Sequence, residues 1–255
     1  MKALVAGRAG FEIGGPTALF ARGGLLPIYP CLGALDNGNF SSQTVWEGAI
    51  HEGPTFHYDP ARPPGRQFII EASDLGRIQS EQYDVVISSH TLEHTANPLK
   101  ALREWLRVLT TNGVLILVVP HKEGTFDHRR PVTRLAHLIE DEVNDTTEHD
   151  LTHLDEVLAL HDLALDPPAG DAAAFRARCE QNFANRCLHH HVFDTRLAVE
   201  VMDHVGLKVV TVEAALAHHI FVIGQKTAGA RPDNSRFLGV AAPYRAGSPF
   251  AGDRS

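Results

Sequence analysis

The sequence predicts an α/β protein built on a doubly wound, mostly parallel sheet, and three stretches predict it. Residues 83–121 read strand, loop, helix, turn, strand. Residues 11–20 read strand, glycine turn, helix start, and residues 195–226 read helix, strand, strand. A β-α-β unit is right-handed almost without exception, so the two strands of the first stretch lie in one sheet under their helix.

Residues 83–87 are a β-branched run closed by Ser88 and Ser89, the composition of a buried strand. Asn97 is placed to cap a helix, and Pro98 supplies a preset φ at its first position. Leu99, Leu102, Leu106 and Leu109 fall on one helical face with Trp105 flanking it, while Lys100, Arg103, Glu104 and Arg107 fall mainly on the others. Asn112-Gly113 reads as a turn, and residues 114–119 as an apolar run buried on both faces of a parallel sheet. Upstream, Phe11-Glu12-Ile13 runs into Gly14-Gly15, which would let backbone N–H groups approach a ligand closely; an ordinary strand-to-helix turn reads the same way.

Residues 32–36 are the expected second strand. Asp36 follows the glycine turn by about twenty residues, the spacing of a nucleoside-binding acid; the alternative is a turn aspartate before Asn37-Gly38. Residues 39–67 are rich in glycine, proline and polar residues, but Trp46, Phe56 and Tyr58 favour an ordered flap. Residues 68–71 read as the third strand. Beyond Pro120, helices are expected over 132–140, 151–162, 172–187 and 195–205, with strands over 207–215 and 220–226. Residues 227–255 lack periodicity and read as a flexible tail.

The 83–121 stretch resembles the core of class I S-adenosylmethionine-dependent methyltransferases of the type 11 group. Asp84, Ser88-Ser89-His90, Leu92-Glu93-His94, Arg107-Val108-Leu109, Asn112-Gly113 and Pro120 match that pattern in order; Thr111-Asn112-Gly113 departs from the usual Pro-Gly-Gly turn. The resemblance implies a Rossmann-like, seven-stranded sheet with an antiparallel last strand. It also implies a methyltransferase domain over 1–226, with residues 122–194 as a helical insertion after the fifth strand that forms the substrate lid. Glu12 and Gly14 take the places of the acid and first glycine of the family's first motif, with Gly15 beside them and Pro16 where a second glycine is usual. The resemblance assigns Asp36 to the ribose hydroxyls, Glu71, Ala72 and Ser73 to the adenine side, and Ser88 and Ser89 to the loop over the cofactor's reactive end. The implied cofactor is S-adenosyl-L-methionine.

Sixteen histidines are unusual for 255 residues, and eleven of them lie between His90 and His191. A histidine titrates near neutrality and suits removal of a proton from an acceptor. His90, directly after the serine loop, is the first candidate base; a loop histidine bonded to backbone is the alternative. His94 reads as structural. In an extended segment His189 and His191 share a face. With Asp127, His128 or His121 they would line a substrate pocket or bind a divalent metal, so Asp127, His128 and His191 are further candidate catalytic residues. His149 and His153 are spaced as a helical metal pair, but no zinc signature is complete, and a metal is allowed rather than expected. Among the arginines, Arg129, Arg130, Arg176, Arg178 and Arg186 are candidates for a substrate carboxylate or phosphate.

A net charge of −8 argues against a nucleic-acid or membrane-surface partner, as does the absence of an Asn/Asp-Pro-Pro-aromatic motif at Ser88–Thr91. Three cysteines without CxxC spacing suggest neither disulfides nor a cysteine zinc site. No leader or spanning segment is legible, and a cytoplasmic protein is expected. The expected reaction is methyl transfer to a small-molecule hydroxyl, as of a sugar or secondary metabolite. Two alternatives stay open: transfer or cyclisation of the cofactor's aminocarboxypropyl arm, and a non-catalytic methyltransferase-like binding subunit. A homodimer is compatible with the sequence, which does not decide the oligomeric state.

Overall fold

A computed structural model describes residues 2–255. In chain order the elements are α1 (Lys2–Val5), β1 (Ala9–Ile13), β2 (Ala34–Asn39), a small hairpin of β3 (Gln43–Thr44) and β4 (Gly48–Ala49), β5 (Gly53–Phe56), β6 (Gly65–Ile69) and β7 (Tyr83–Ser89). Then follow α2 (Pro98–Val108), β8 (Leu109–Pro120), α3 (Leu135–Val143), α4 (Leu154–Leu160), α5 (Ala172–Glu180), α6 (Asn182–Asn185) and α7 (Thr195–His204). The chain ends with β9 (Lys208–Ala215), β10 (His219–Gln225), α8 (Ser235–Leu238), α9 (Pro243–Gly247) and α10 (Ala251–Arg254).

The main sheet runs β5-β6-β2-β1-β7-β8-β10-β9. Strands β6, β2, β1, β7 and β8 are mutually parallel, and β10 is antiparallel to both its neighbours. The strand order reverses between β1 and β7, the kind of switch point where open α/β sheets bind ligands. The sheet has eight strands, one more than expected, because part of the flap adds β5 antiparallel to β6 at the edge. The third parallel strand starts at Gly65 rather than Phe68. A side chain at Gly65 would overlap the Leu35 carbonyl, so glycine permits this close approach.

Side chains of β7 and β8 alternate between two cores. Val86, Leu115 and Leu117 cluster with Leu99, Leu102 and Trp105 of α2 and Leu197 and Val201 of α7. Val85, Ile87, Ile116 and Val118 cluster instead with Phe20, Ile28, Tyr29, Leu32, Phe56 and Tyr58. This second face is therefore covered by irregular turns and flap residues rather than by long helices. The α2 cap is as expected, with Asn97 Oδ1 accepting from the Lys100 N–H at 3.1 Å. Leu109 leaves the helix and opens β8. Asn112-Gly113 is not a turn but a bulge in that strand: Asn112 has φ 67°, and its N–H donates to the Lys226 carbonyl at 2.8 Å.

Residues 227–255 do not form the expected loose tail. Tyr244 joins the α2–α7 core, Phe250 stacks on His121 with centroids 3.9 Å apart, and buried Asp253 accepts from Thr195 Oγ and Ser248 Oγ at 2.6 Å each. A few anchoring side chains dock this segment, and so sparse a pattern leaves no periodicity in the sequence.

Candidate functional site

A cleft of about 590 Å³ opens at the carboxyl ends of β1, β2, β6, β7 and β8. Its floor is the glycine turn after β1. Gly14 and Gly15 adopt φ 78° and 76°; a Cβ on Gly14 would come 2.7 Å from Thr91 Oγ, and one on Gly15 would overlap the Glu12 carboxylate. Glu12 is buried beneath the turn and takes the Tyr29 hydroxyl hydrogen bond at 2.7 and 2.8 Å from its two oxygens. Burial pushes its pKa well above the usual carboxylate range, although the Tyr29 bond opposes this. Asn37 Nδ2 donates to the Gly14 carbonyl. The turn is thus held from below, and its other side faces the cleft.

Asp36 is not at the site. Its carboxylate accepts from the Arg66 N–H and the Tyr83 hydroxyl, both at 2.8 Å, and it lies outside the cleft lining. The reason is that β2 continues three residues further, so the strand end that meets the cleft is Asn39, whose Nδ2 donates to the Gly15 carbonyl at 3.3 Å. On the neighbouring loop Glu71 and Ala72 line the cleft with Ile70, whereas Ser73 does not. Trp105 fixes this loop by donating to the Ala72 carbonyl at 2.9 Å. Ser89 lines the cleft and Ser88 is buried outside its lining; both hydroxyls lack a hydrogen-bond partner. These features fit a nucleoside sulfonium cofactor: open glycine backbone, an apolar wall at Ile70 and Ala72, an unsatisfied Ser89 hydroxyl and room of the right order. The departure is Asn39, an amide where a carboxylate was expected.

Three of the four candidate catalytic residues sit elsewhere than expected. His90 is in the cleft, held at φ 52° at the end of β7 with its N–H donating to the Val118 carbonyl at 2.9 Å. Its Nδ1 is 3.6 Å from the buried Glu93 carboxylate, and its Nε2 is 2.9 Å from His219 Nδ1. His128 instead pairs with Asp162 outside the cleft lining, 3.0 Å away. His191 is buried behind the site, its Nε2 3.3 Å from the Ala96 carbonyl. Asp127 is also outside the lining but holds His189, which does line the cleft, with Nδ1 2.5 Å from Oδ2. The His189 and Arg130 cations outweigh burial and hold Asp127 below the usual carboxylate range. The two histidines expected to share a face are thus separated, because His191 turns into the insertion's interior.

The sequence reading missed Glu93, His218 and Trp46 as cleft residues and passed over His94 as structural, whereas His189 lines the cleft as it was expected to line a pocket. Burial, reinforced by His189, lowers the His94 pKa to about 4, so its imidazole is neutral near pH 7. Burial likewise lowers His219, with His90 adding to the effect, to about 4. Tandem His218-His219, in the turn between the last two strands, was the available signal. Of the arginines, only Arg186 reaches the cleft. It sits between the Phe40 and Phe183 rings, each 5.1 Å away, and pairs with Glu71 at 2.7 Å and Glu148 at 3.1 Å. It therefore clasps the insertion to the core.

Residues 61–117 match the family described as methyltransferase domain. No curated protein matches the chain. Among solved structures, an S-adenosylmethionine-dependent methyltransferase from Mesorhizobium loti shares 10% identity over 87% of this chain and 92% of its own, at a TM-score of 0.50. A SAM-dependent methyltransferase from Aquifex aeolicus shares 12% identity over 89% and 86%, at 0.42. At 10% identity the likeness to the Mesorhizobium loti structure speaks for the fold alone. The family match lies on the β6-to-β8 core that carries the cleft, so the sequence of that core and the fold around it both make this chain similar to the S-adenosylmethionine-dependent methyltransferases.

Proposed function

We propose that this methyltransferase acts on a hydroxyl of a small molecule, such as a sugar or secondary metabolite, with His90 as general base. The observation that carries the reading is the placement of His90, turned into the cleft in a left-handed backbone conformation between Glu93 and His219. A non-glycine residue in that conformation costs energy and is found where the surroundings demand it. S-adenosylmethionine, when bound, supplies an electrophilic methyl group. Glycines 14 and 15, Asn39, Glu71, Ala72 and Ser89 would hold it. Glu93 faces Nδ1 of His90 and favours the tautomer whose Nε2 is basic, so Nε2 receives the acceptor's proton and His219 Nδ1 can share it. Residues 122–194 act as the acceptor's lid: Phe126, Leu165, Arg186 and His189 line the cleft from that side. Trp46 and His94, whose rings meet edge-on at 5.2 Å, supply an aromatic wall.

The test is methyl transfer from labelled cofactor across hydroxylated acceptors, with by-products analysed by mass. Adenosylhomocysteine as product, with His90→Gln losing about a hundredfold or more in kcat while still binding adenosylhomocysteine, is the expected result. Methylthioadenosine as product would replace methyl transfer by transfer of the aminocarboxypropyl arm. Full activity in His90→Gln would remove the base assignment.

A further inference from the structure

A second group of histidines gathers inside the insertion, away from the cleft. His137 and Asp141 are four residues apart on α3 and so share a helix face. His153 stands at the start of α4, not on a helix with His149 as its spacing suggested; His149 instead stacks on Phe183. His191 comes from the extended segment before α7. His137 Nε2 and His153 Nε2 are 3.0 Å apart. Asp141 Oδ2 lies 3.5 Å from His137 Nε2 and 3.7 Å from His191 Nε2. One ring nitrogen from each histidine lies within 4.8 Å of the others. Around a tetrahedral ion with bonds of about 2.0–2.1 Å, ligand atoms stand roughly 3.3–3.4 Å apart; three pairs here, at 3.0, 3.5 and 3.7 Å, lie around that value, while the histidine trio spans no more than 4.8 Å.

Hydrogen bonding alone leaves this group incomplete. One proton shared between His137 and His153 satisfies that pair. Asp141 Oδ2 remains buried with no hydrogen-bond partner, in a residue that is only 8% exposed. A buried carboxylate oxygen without a donor or cation is costly. The other carboxylate oxygen is already fixed by Thr146 Oγ at 3.1 Å, the outer support that metal ligands commonly have.

We propose that His137, Asp141, His153 and His191 form a binding site for a divalent transition-metal ion, with Zn²⁺ the best match. Three borderline imidazole nitrogens and one hard carboxylate oxygen are all donors that Zn²⁺ accepts, in the number a closed structural zinc site uses. The ligands come from α3, the start of α4 and the segment before α7, so the ion cross-links the insertion rather than entering the methyl-transfer chemistry. The site adjoins the cleft through backbone, with the His191 N–H donating to the Glu93 carbonyl at 3.3 Å.

The experiment titrates ZnCl2 and CoCl2 into the chelator-treated full-length chain, followed by calorimetry, visible absorption and thermal unfolding. One saturable equivalent of Zn²⁺, a raised Tm and the intense visible bands of four-coordinate Co²⁺ are expected. His153→Ala and Asp141→Asn, with unchanged circular dichroism, should each lose at least about a hundredfold in Zn²⁺ affinity. His57→Gln, a change at an exposed flap histidine, should bind as the wild type does. The proposal is overturned if the folded chain shows no single-equivalent binding, if Co²⁺ gives a weak six-coordinate spectrum, or if both ligand variants bind undiminished.

Discussion

Glu12 and Asp36 show how one residue's role turns on a few ångströms. Both are carboxylates in the first two strands, yet Glu12 supports the cofactor turn from beneath while Asp36 ties Arg66 and Tyr83 together below the cleft. Asp36→Ala should therefore keep adenosylhomocysteine affinity within about twofold while losing about 1–2 kcal/mol of stability from its hydrogen bonds. Calorimetry beside chemical denaturation checks this, and a collapse of binding would restore Asp36 to the site. Gly15→Ala should lose a similar amount, about 1–2 kcal/mol for the left-handed backbone, but should also abolish cofactor binding as the turn is pushed off Glu12. The raised pKa of Glu12 gives a further prediction. The folded state holds its proton more tightly than the unfolded one, so stability falls as pH rises above 4.5 towards the folded value. Glu12→Gln removes that penalty. Its Tm advantage over wild type should grow from about pH 4 to about pH 8, and an advantage that did not change with pH would contradict the burial argument.

At the scale of elements, two attachments decide how the cleft is closed. Arg186 links the insertion to the loop after β6 through Glu71. Arg186→Met preserves the aliphatic stem but removes the charge; cofactor affinity should fall about tenfold, the loss of one charged hydrogen bond. Unaltered affinity would mean the clasp does not reach the cofactor. The C-terminal helices are held by Asp253. Burial alone would raise its pKa, but hydrogen bonds from His121, Ser248 and Thr195 outweigh this and lower it below 3.8. A carboxylate with a depressed folded pKa stabilises above the unfolded value, and that stability is lost as pH falls through the folded value. Amide exchange of residues 243–255 should therefore accelerate below about pH 4, and Asp253→Asn should show the same loosening at neutral pH.

Across the whole molecule, cofactor, sheet and insertion meet at one cleft, so ligand binding should stabilise the entire unit. Adenosylhomocysteine at about a hundred times its Kd adds about 2.7 kcal/mol, or roughly 5–10 °C in Tm for a chain of this size. A thermal scan with and without ligand reads this directly. A shift confined to a minor transition would show that the insertion unfolds separately from the sheet. Among the described residues no helix is long and apolar enough to cross a membrane.

The local pattern was enough for the β7-α2-β8 unit, because an Asn-Pro cap, a helical leucine face and two apolar runs are set by neighbours in sequence. It was also enough to place the glycine turn and His90, since both sit at strand ends that the pattern marks. It could not tell that β2 runs on to Asn39, which depends on pairing with β1 and β6. Nor could it sort the histidines. His189, His190 and His191 are consecutive, yet His189 faces the cleft with Asp127, His190 meets Asn182 inside the insertion, and His191 joins His137 and His153. A bend at His191 breaks the alternation of an extended segment, and the partners the three rings meet lie 62, 8 and 95 residues away in the chain, at Asp127, Asn182 and Ala96. The chain's own order determined the sheet and its cofactor end; only the packing of distant segments decided which histidines, acids and arginines meet there.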